Sequence, residues 1–206
     1  MGYWREWVPW VVNPKTSTMA EVKAEMIGDE SVTFLVMLFE NPSSPFQLPG
    51  ATTLFNHDCW HIILRRGLLP QDEAFVIGFS MGTDEKCKWY HKILFKFIAK
   101  YIYKEPYRFD NNHVIAYDLG FEYARTLEKK NLHKYSFKRN QNRMVESIAV
   151  DLGITKEDLN KYRAKERELI PNTKESQRLN PLIKGVTTFG IGRSIEGEYD
   201  KDSLED

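Results

Sequence analysis

The stretch KCKWYHKILFKFIAKYIYK, residues 86–104, is the most regular part of the sequence and decides the fold class. Its apolar side chains recur in pairs four positions apart, which places them on one face of an α-helix. The members of that face are Trp89, Tyr90, Ile93, Leu94, Phe97, Ile98, Tyr101 and Ile102. Lysines recur every four residues along another face, and Pro106 follows as a stop signal. The pattern predicts a long amphipathic helix.

Other segments with helical periodicity surround this one and predict a mainly α-helical fold. They cover residues 17–27, 51–66, 110–129, 140–152 and 156–169, and a further helix begins at Pro70, which suits a first helical turn. The apolar run Val32–Phe39 fits a buried helix or a strand equally well. We predict a single-domain helical bundle over residues 1–170. Residues 171–206 are expected to form an irregular C-terminal extension with an acidic tail.

The composition is typical of an ordinary globular protein. The 206 residues suffice for one hydrophobic core. The formal net charge of +0 gives no electrostatic reason to expect a nucleic-acid partner. No uncharged apolar run approaches the roughly 18 residues that a membrane span requires. Two cysteines without a secretory signal predict a reducing, cytoplasmic setting.

The segment NHDCWH, residues 56–61, lies inside one predicted helix and carries the best candidates for metal ligands. At about 100° per residue, His57 and His61 lie about 40° apart on the helix surface, and Asp58 lies within the same arc. Two imidazoles at this spacing can bind one ion, and a nearby carboxylate can ligate it or orient an imidazole. Glu73 follows twelve residues after His61. A turn at residues 67–70 would bring it beside the histidines.

Nitrogen and oxygen ligands favour a divalent metal, with zinc first and iron, manganese or magnesium as alternatives. Three or four protein ligands leave room for water or substrate, so the metal could be catalytic. Asp58 and Glu73 are then the candidates for moving a proton. Arg65 and Arg66 follow the motif closely and could meet a phosphate or carboxylate on a bound substrate. The alternative interpretation is a pair of packed, hydrogen-bonded histidines without a metal.

The spacing His57-Asp58-x-x-His61, eleven residues, Glu73 resembles the signature of the coenzyme Q biosynthesis protein 4 family. The resemblance covers about residues 51–80 and is only general beyond them. It implies a helical fold, those four residues as metal ligands, and a role in ubiquinone assembly. A polyprenyl lipid or quinone precursor would be the ligand, and other enzymes of the quinone pathway would be partners. The implied role is either metal-assisted decarboxylation and hydroxylation of the ring or a non-catalytic scaffold with a structural metal.

Other classes of site find less support in the sequence. Phosphohydrolases named for an adjacent His-Asp pair need a further histidine upstream, and His57 is the first histidine of the chain. No phosphate-binding glycine loop and no Gly-x-Ser-x-Gly elbow is present. A metal-dependent hydrolase of another lineage stays an open alternative.

The lysine-rich helix of residues 86–104 has two interpretations. Between Glu85 and Glu105 the sequence has six lysines and no acid. Such a helix can lie on a membrane surface with its lysines toward anionic headgroups, and it would help a protein whose polyprenyl ligand lies in the bilayer. The alternative is an ordinary core helix with a solvated lysine face. A channel for the prenyl tail is a further expectation, lined from Val32–Phe39 and Phe75–Met81, although such residues are more often simply core.

Overall fold

The computed structural model describes residues 15–26, 42–44, 47–105 and 107–178. Within these ranges the chain is mainly α-helical and has no β-strand, which confirms the predicted fold class. An isolated backbone bridge joins Thr18 and Met144. The expectations for Val32–Phe39 and for the acidic tail lie outside the described residues.

Eight α-helices follow one another in the described part of the chain. They are α1 (Met19–Glu25), α2 (Leu54–Ile63), α3 (Pro70–Thr83), α4 (Trp89–Phe97), α5 (Asn111–Thr126), α6 (Val145–Leu152), α7 (Lys156–Leu169) and α8 (Lys174–Arg178). A π-helical turn, Ile98–Ile102, continues α4, and short 3-10 turns lie at Leu132–Lys134 and Lys138–Asn140. The sequence predicted every one of these helices except α8, from periodicity in most cases and from Pro70 for α3.

Side-chain caps fix where several helices begin. The Thr18 hydroxyl accepts a hydrogen bond from the Glu21 N–H, and the Glu21 carboxylate accepts one from the Thr18 N–H in return. Thr53 caps α2 and Asp110 caps α5 through their side-chain oxygens. Because the Thr53 cap defines the first turn of α2, it also sets the position of His57 within that helix.

Helices α3 and α5 cross with their backbones in direct contact. A Cβ atom at Gly78 would overlap the carbonyl oxygen of Tyr117, and one at Gly120 would overlap the carbonyl oxygen of Phe75. Glycine is therefore required at both positions for the two helices to approach this closely. This contact anchors α3, whose first turn carries Glu73.

One cluster of buried apolar side chains extends from Met19 to Ile170 and forms the core. The short helix α8 packs beside it through polar contacts. Ser176 is fully buried, and its hydroxyl oxygen lies 2.9 Å from the side-chain nitrogen of Gln71. Arg178 forms an ion pair with Asp72. The packed body therefore reaches past the domain boundary that the sequence predicted at residue 170.

Only one side of α4 enters this core. Phe95 and Ala99 are fully buried, and Ile98 nearly so. The rest of the apolar face predicted for residues 86–104 is exposed, from Trp89 to Ile102. An ordinary core helix therefore does not explain most of that face.

Candidate metal centre

Helix α2 presents its two histidines to the same side. Their Nε2 atoms lie 3.1 Å apart, and their ring centroids are separated by 4.9 Å at an interplanar angle of 60°. One helical turn between His57 and His61 accounts for this approach, as the spacing predicted. His61 is fully buried, and the His57 side chain is 17% exposed.

Helix α3 adds a carboxylate to the histidine pair. Helix α2 ends at Ile63, the chain turns back, and α3 starts at Pro70 with its acidic residues in the first turn. The Glu73 Oε2 atom lies 2.9 Å from the His57 Nε2 atom and 3.4 Å from the His61 Nε2 atom. The structure thus brings together three of the four residues that the sequence singled out.

The three ligand atoms are close enough for one ion to contact all of them. They lie within 4.8 Å of one another. The pairwise distances of 3.1, 2.9 and 3.4 Å mean that the point in their plane equidistant from the three atoms lies about 1.8 Å from each of them. This is shorter than usual zinc–ligand bonds of about 2.0–2.2 Å. An ion can therefore bind all three atoms from one side of their plane. Its remaining coordination positions would be available to water or substrate.

The orientation of His61 suits metal binding. Its Nδ1 atom lies 2.6 Å from the carbonyl oxygen of Gly67, so Nδ1 carries the proton and donates it. In the neutral ring the lone pair is then on Nε2, which faces His57 and Glu73. Metal-bound histidines commonly have their second nitrogen held in this way by a carbonyl.

Charge at the cluster holds Glu73 in its ionised form. Burial acts to raise the pKa of this carboxyl, but the positive charge that His61 carries when its ring is protonated, with hydrogen bonds from both histidines, outweighs burial. The pKa of Glu73 therefore lies well below its usual range. Its side chain is 34% exposed, so the cluster opens to solvent on the Glu73 side.

Asp58 lies outside this cluster. Its carboxylate contacts the Nζ atom of Lys23 on α1, at 2.9 Å. Asp58 directly follows His57, so it is rotated by about 100° around α2, and α1 packs on that flank. The structure therefore places Asp58 in an ion pair between two helices, where the sequence predicted a ligand or a proton carrier.

Arg65 and Arg66, which were expected to meet a substrate, lie in the packed interior. Arg66 is 1% exposed, its Nη1 atom is 2.6 Å from the Glu166 Oε2 atom, and its guanidinium stacks on Phe75. Arg65 has a left-handed backbone, with φ of 56°. Its carbonyl oxygen accepts a hydrogen bond from Arg163. Both arginines are buried because α7 packs over the chain directly after α2, where it supplies Glu166 and Arg163 as their partners.

These contacts belong to a larger group of polar side chains that the sequence did not predict. We call it the buried polar network, and its members are Arg66, Gln71, Asp72, Arg163, Glu166, Ser176 and Arg178. Burial, and after it the charges of Arg66 and Arg65, lower the pKa of the Arg163 guanidinium to about 9. The alternating charges of α7 are typical of a solvated helix, so no local signal distinguishes these residues.

Of the two segments expected to line a prenyl channel, Phe75–Met81 lies within the described residues and Val32–Phe39 lies outside them. The side chains of Phe75, Val76 and Phe79 are fully buried within the hydrophobic core. Among the described residues, no helix is both long enough and apolar enough to cross a membrane.

Comparison of the chain with protein-family models, curated proteins and solved structures gave no match. The resemblance to the coenzyme Q biosynthesis protein 4 family therefore stays a prediction that rests on the spacing of the motif.

Proposed function

We propose that this chain binds a divalent metal through His57, His61 and Glu73 and acts in quinone metabolism on a polyprenylated ring precursor. The observation that carries the metal is the convergence of two imidazole nitrogens and one carboxylate oxygen, described above. The ring precursor comes from the resemblance of the motif to the coenzyme Q biosynthesis protein 4 family.

Electrostatics supports a cation in this cluster. When the His61 ring is neutral, its Nε2 atom carries the lone pair, because the ring proton lies on Nδ1 and is donated to the carbonyl oxygen of Gly67. That lone pair faces both the ionised Glu73 and the Nε2 atom of His57 at close range. Protons or a metal ion must lie among these atoms to offset their repulsion. A metal does so while satisfying all three groups at once.

The ligand set narrows the chemistry that the ion would supply. Two histidines and one glutamate occur both in catalytic zinc sites and in iron sites that activate oxygen. Zinc has no redox chemistry, so it would assist only the decarboxylation, by polarising a substituent of the ring. Ring hydroxylation would require iron or another redox metal together with an oxidant. The identity of the metal therefore separates the two reactions.

A scaffold with a structural metal is the second candidate. The full burial of His61 and its bond to Gly67 favour it, because the ion would then fasten α2 to α3 at the turn between them. In this version the chain presents the polyprenyl lipid to other enzymes of the quinone pathway. Variant His57→Ala distinguishes the candidates: a catalytic metal predicts a folded, inactive chain, and a structural metal predicts a chain that loses stability.

The function is tested with purified chain loaded with zinc or iron. A polyprenylated ring acid and its tail-less analogue are incubated with each form, and mass spectrometry measures loss of carbon dioxide or gain of oxygen. We expect binding or turnover that requires the tail and the metal, is lost in His57→Ala, and persists in Asp58→Asn. Equal handling of the tail-less analogue, or activity on simple phosphoesters, would contradict the proposal and favour an unrelated hydrolase.

A further inference from the structure

The outer side of α4 and of the π-helical turn after it is apolar and open to solvent. Its large side chains are between 43% and 74% exposed. They are Trp89, Tyr90, Ile93, Leu94, Phe97, Tyr101 and Ile102, which we call the α4 apolar face. Contiguous apolar surface of this kind usually marks a binding site, because exposing it to water is unfavourable.

The π-helical turn keeps the α4 apolar face continuous. In a regular α-helix of 3.6 residues per turn, Lys100 would rotate into this face. The turn is instead closed by a bond of 3.0 Å from the Tyr103 N–H to the Ile98 carbonyl, five residues back. Each residue of this wider turn rotates by a smaller angle. Tyr101 lies on the same side as Phe97, and their ring centroids lie 5.3 Å apart.

A row of lysines borders the α4 apolar face on one side. Lys92 and Lys96 both pair with Asp118 of α5, at 2.9 Å and 2.7 Å. Lys100 donates to the side-chain oxygen of Asn111 at 2.8 Å. These contacts hold the row beside the face and leave it with excess positive charge, because two cations share one carboxylate and the third has a neutral partner.

We propose that the α4 apolar face docks on an anionic lipid membrane. The aromatic and aliphatic side chains would enter the region below the headgroups, where rings such as that of Trp89 are well accommodated. The lysine row would stay at the level of the lipid phosphates, with its aliphatic stems against the apolar region. The attraction of anionic lipid for clustered lysines adds to the burial of apolar surface.

Charge also argues against a second copy of the chain as the occupant. Two α4 apolar faces placed together would add a second lysine row and no carboxylate, because residues 86–104 contain six lysines and no acid. A membrane containing anionic lipid supplies the opposite charge to the same row. The inference does not rest on the metal or on the quinone precursor, so metal-free chain should bind the membrane equally well.

The test is flotation of the full chain with vesicles of phosphatidylcholine and phosphatidylserine, compared with phosphatidylcholine alone. We expect binding that requires the anionic lipid and falls with added salt. Phe97→Asp should weaken it at least about tenfold, because a buried ring is lost and a like charge meets the lipid. The matched control is Val150→Asp on α6, where the side chain is 69% exposed, and it should leave binding unchanged.

Two further measurements, tryptophan fluorescence and circular dichroism, separate membrane docking of the α4 apolar face from a loss of folding. Trp89→Phe should still bind, yet lose most of the fluorescence blue shift that vesicles cause in the original chain. Circular dichroism of Phe97→Asp should match the original chain, since the altered side chain is exposed. Absence of vesicle binding, an equal effect of Val150→Asp, or a dimer in light scattering that Phe97→Asp dissolves would each overturn the proposal.

Discussion

Asp72 and Glu73 are neighbours in the first turn of α3, yet they belong to two different polar clusters, one buried and one partly open to solvent. Asp72 is fully buried and pairs with Arg178, within a network that also holds Arg66 and Glu166. Glu73 is one-third exposed and faces two imidazoles. Successive residues of a helix point about 100° apart, so one turn of α3 serves both clusters.

The difference lies in what neutralises each carboxylate. In the buried polar network the carboxylates of Glu166 and Asp72 pair with the guanidinium groups of Arg66 and Arg178, so they need no added ion. At the candidate metal centre the partners are imidazoles, which offer lone pairs when neutral. We therefore expect the network to stabilise the fold and the metal centre to hold a ligand, and variants can test the two separately.

The largest effect is expected from Glu166→Ala in the buried polar network. Removing one partner of a buried ion pair leaves an uncompensated charge, at Arg66 in this case, and costs about 3–5 kcal/mol of unfolding free energy. Urea unfolding followed by circular dichroism measures this cost. The control is Glu122→Ala, whose exposed pair with Lys165 should contribute less than about 1 kcal/mol. Equal effects of the two variants would mean that the network is not a principal source of stability.

A smaller, ligand-dependent effect is expected at the metal centre. Free zinc at about 100 times its dissociation constant should raise the unfolding free energy by about 2.7 kcal/mol. The Glu73→Gln variant should show little of this gain, because a neutral amide is a poor metal ligand. Urea unfolding in the presence of zinc and in the presence of a chelator gives the zinc-dependent change in unfolding free energy for the original chain and for Glu73→Gln. A full zinc effect in Glu73→Gln would remove this residue from the ligand set.

The smallest effect is expected from Asp58→Asn. The pair between Asp58 and Lys23 is partly exposed, so its loss should cost no more than about 1 kcal/mol. Metal affinity should stay within about twofold, because the carboxylate faces α1. Titration calorimetry with zinc measures the affinity. A tenfold loss would return Asp58 to the ligand set that the motif implies.

Periodicity and local signals predicted much of the architecture. The repeats in residues 86–104 and 156–169 correspond to real helices, and Pro70 marks the start of α3. The spacing of four residues predicted that His57 and His61 lie on one side of α2. The approach of Glu73 was inferred from the turn before Pro70 and from the motif spacing.

The remaining features depend on packing between distant parts of the chain. Glu166 lies one hundred positions from its partner Arg66, and nothing in the charged pattern of α7 indicates that Glu166 is buried. Lys23 draws Asp58 away only because α1 packs beside α2. For α4, periodicity identified the side chains that share a face, but which of them reach the core depends on the position of α5.

Metal content of the purified full chain tests the central claim most directly. After incubation with zinc or ferrous iron and removal of excess ion, elemental analysis should find about one equivalent of one metal. Both His61→Ala and Glu73→Gln should hold less than about a tenth of that, while Asp58→Asn holds as much as the original chain. Less than about a tenth of an equivalent in the original chain, with no rebinding, would contradict the claim and leave a hydrogen-bonded histidine pair in its place.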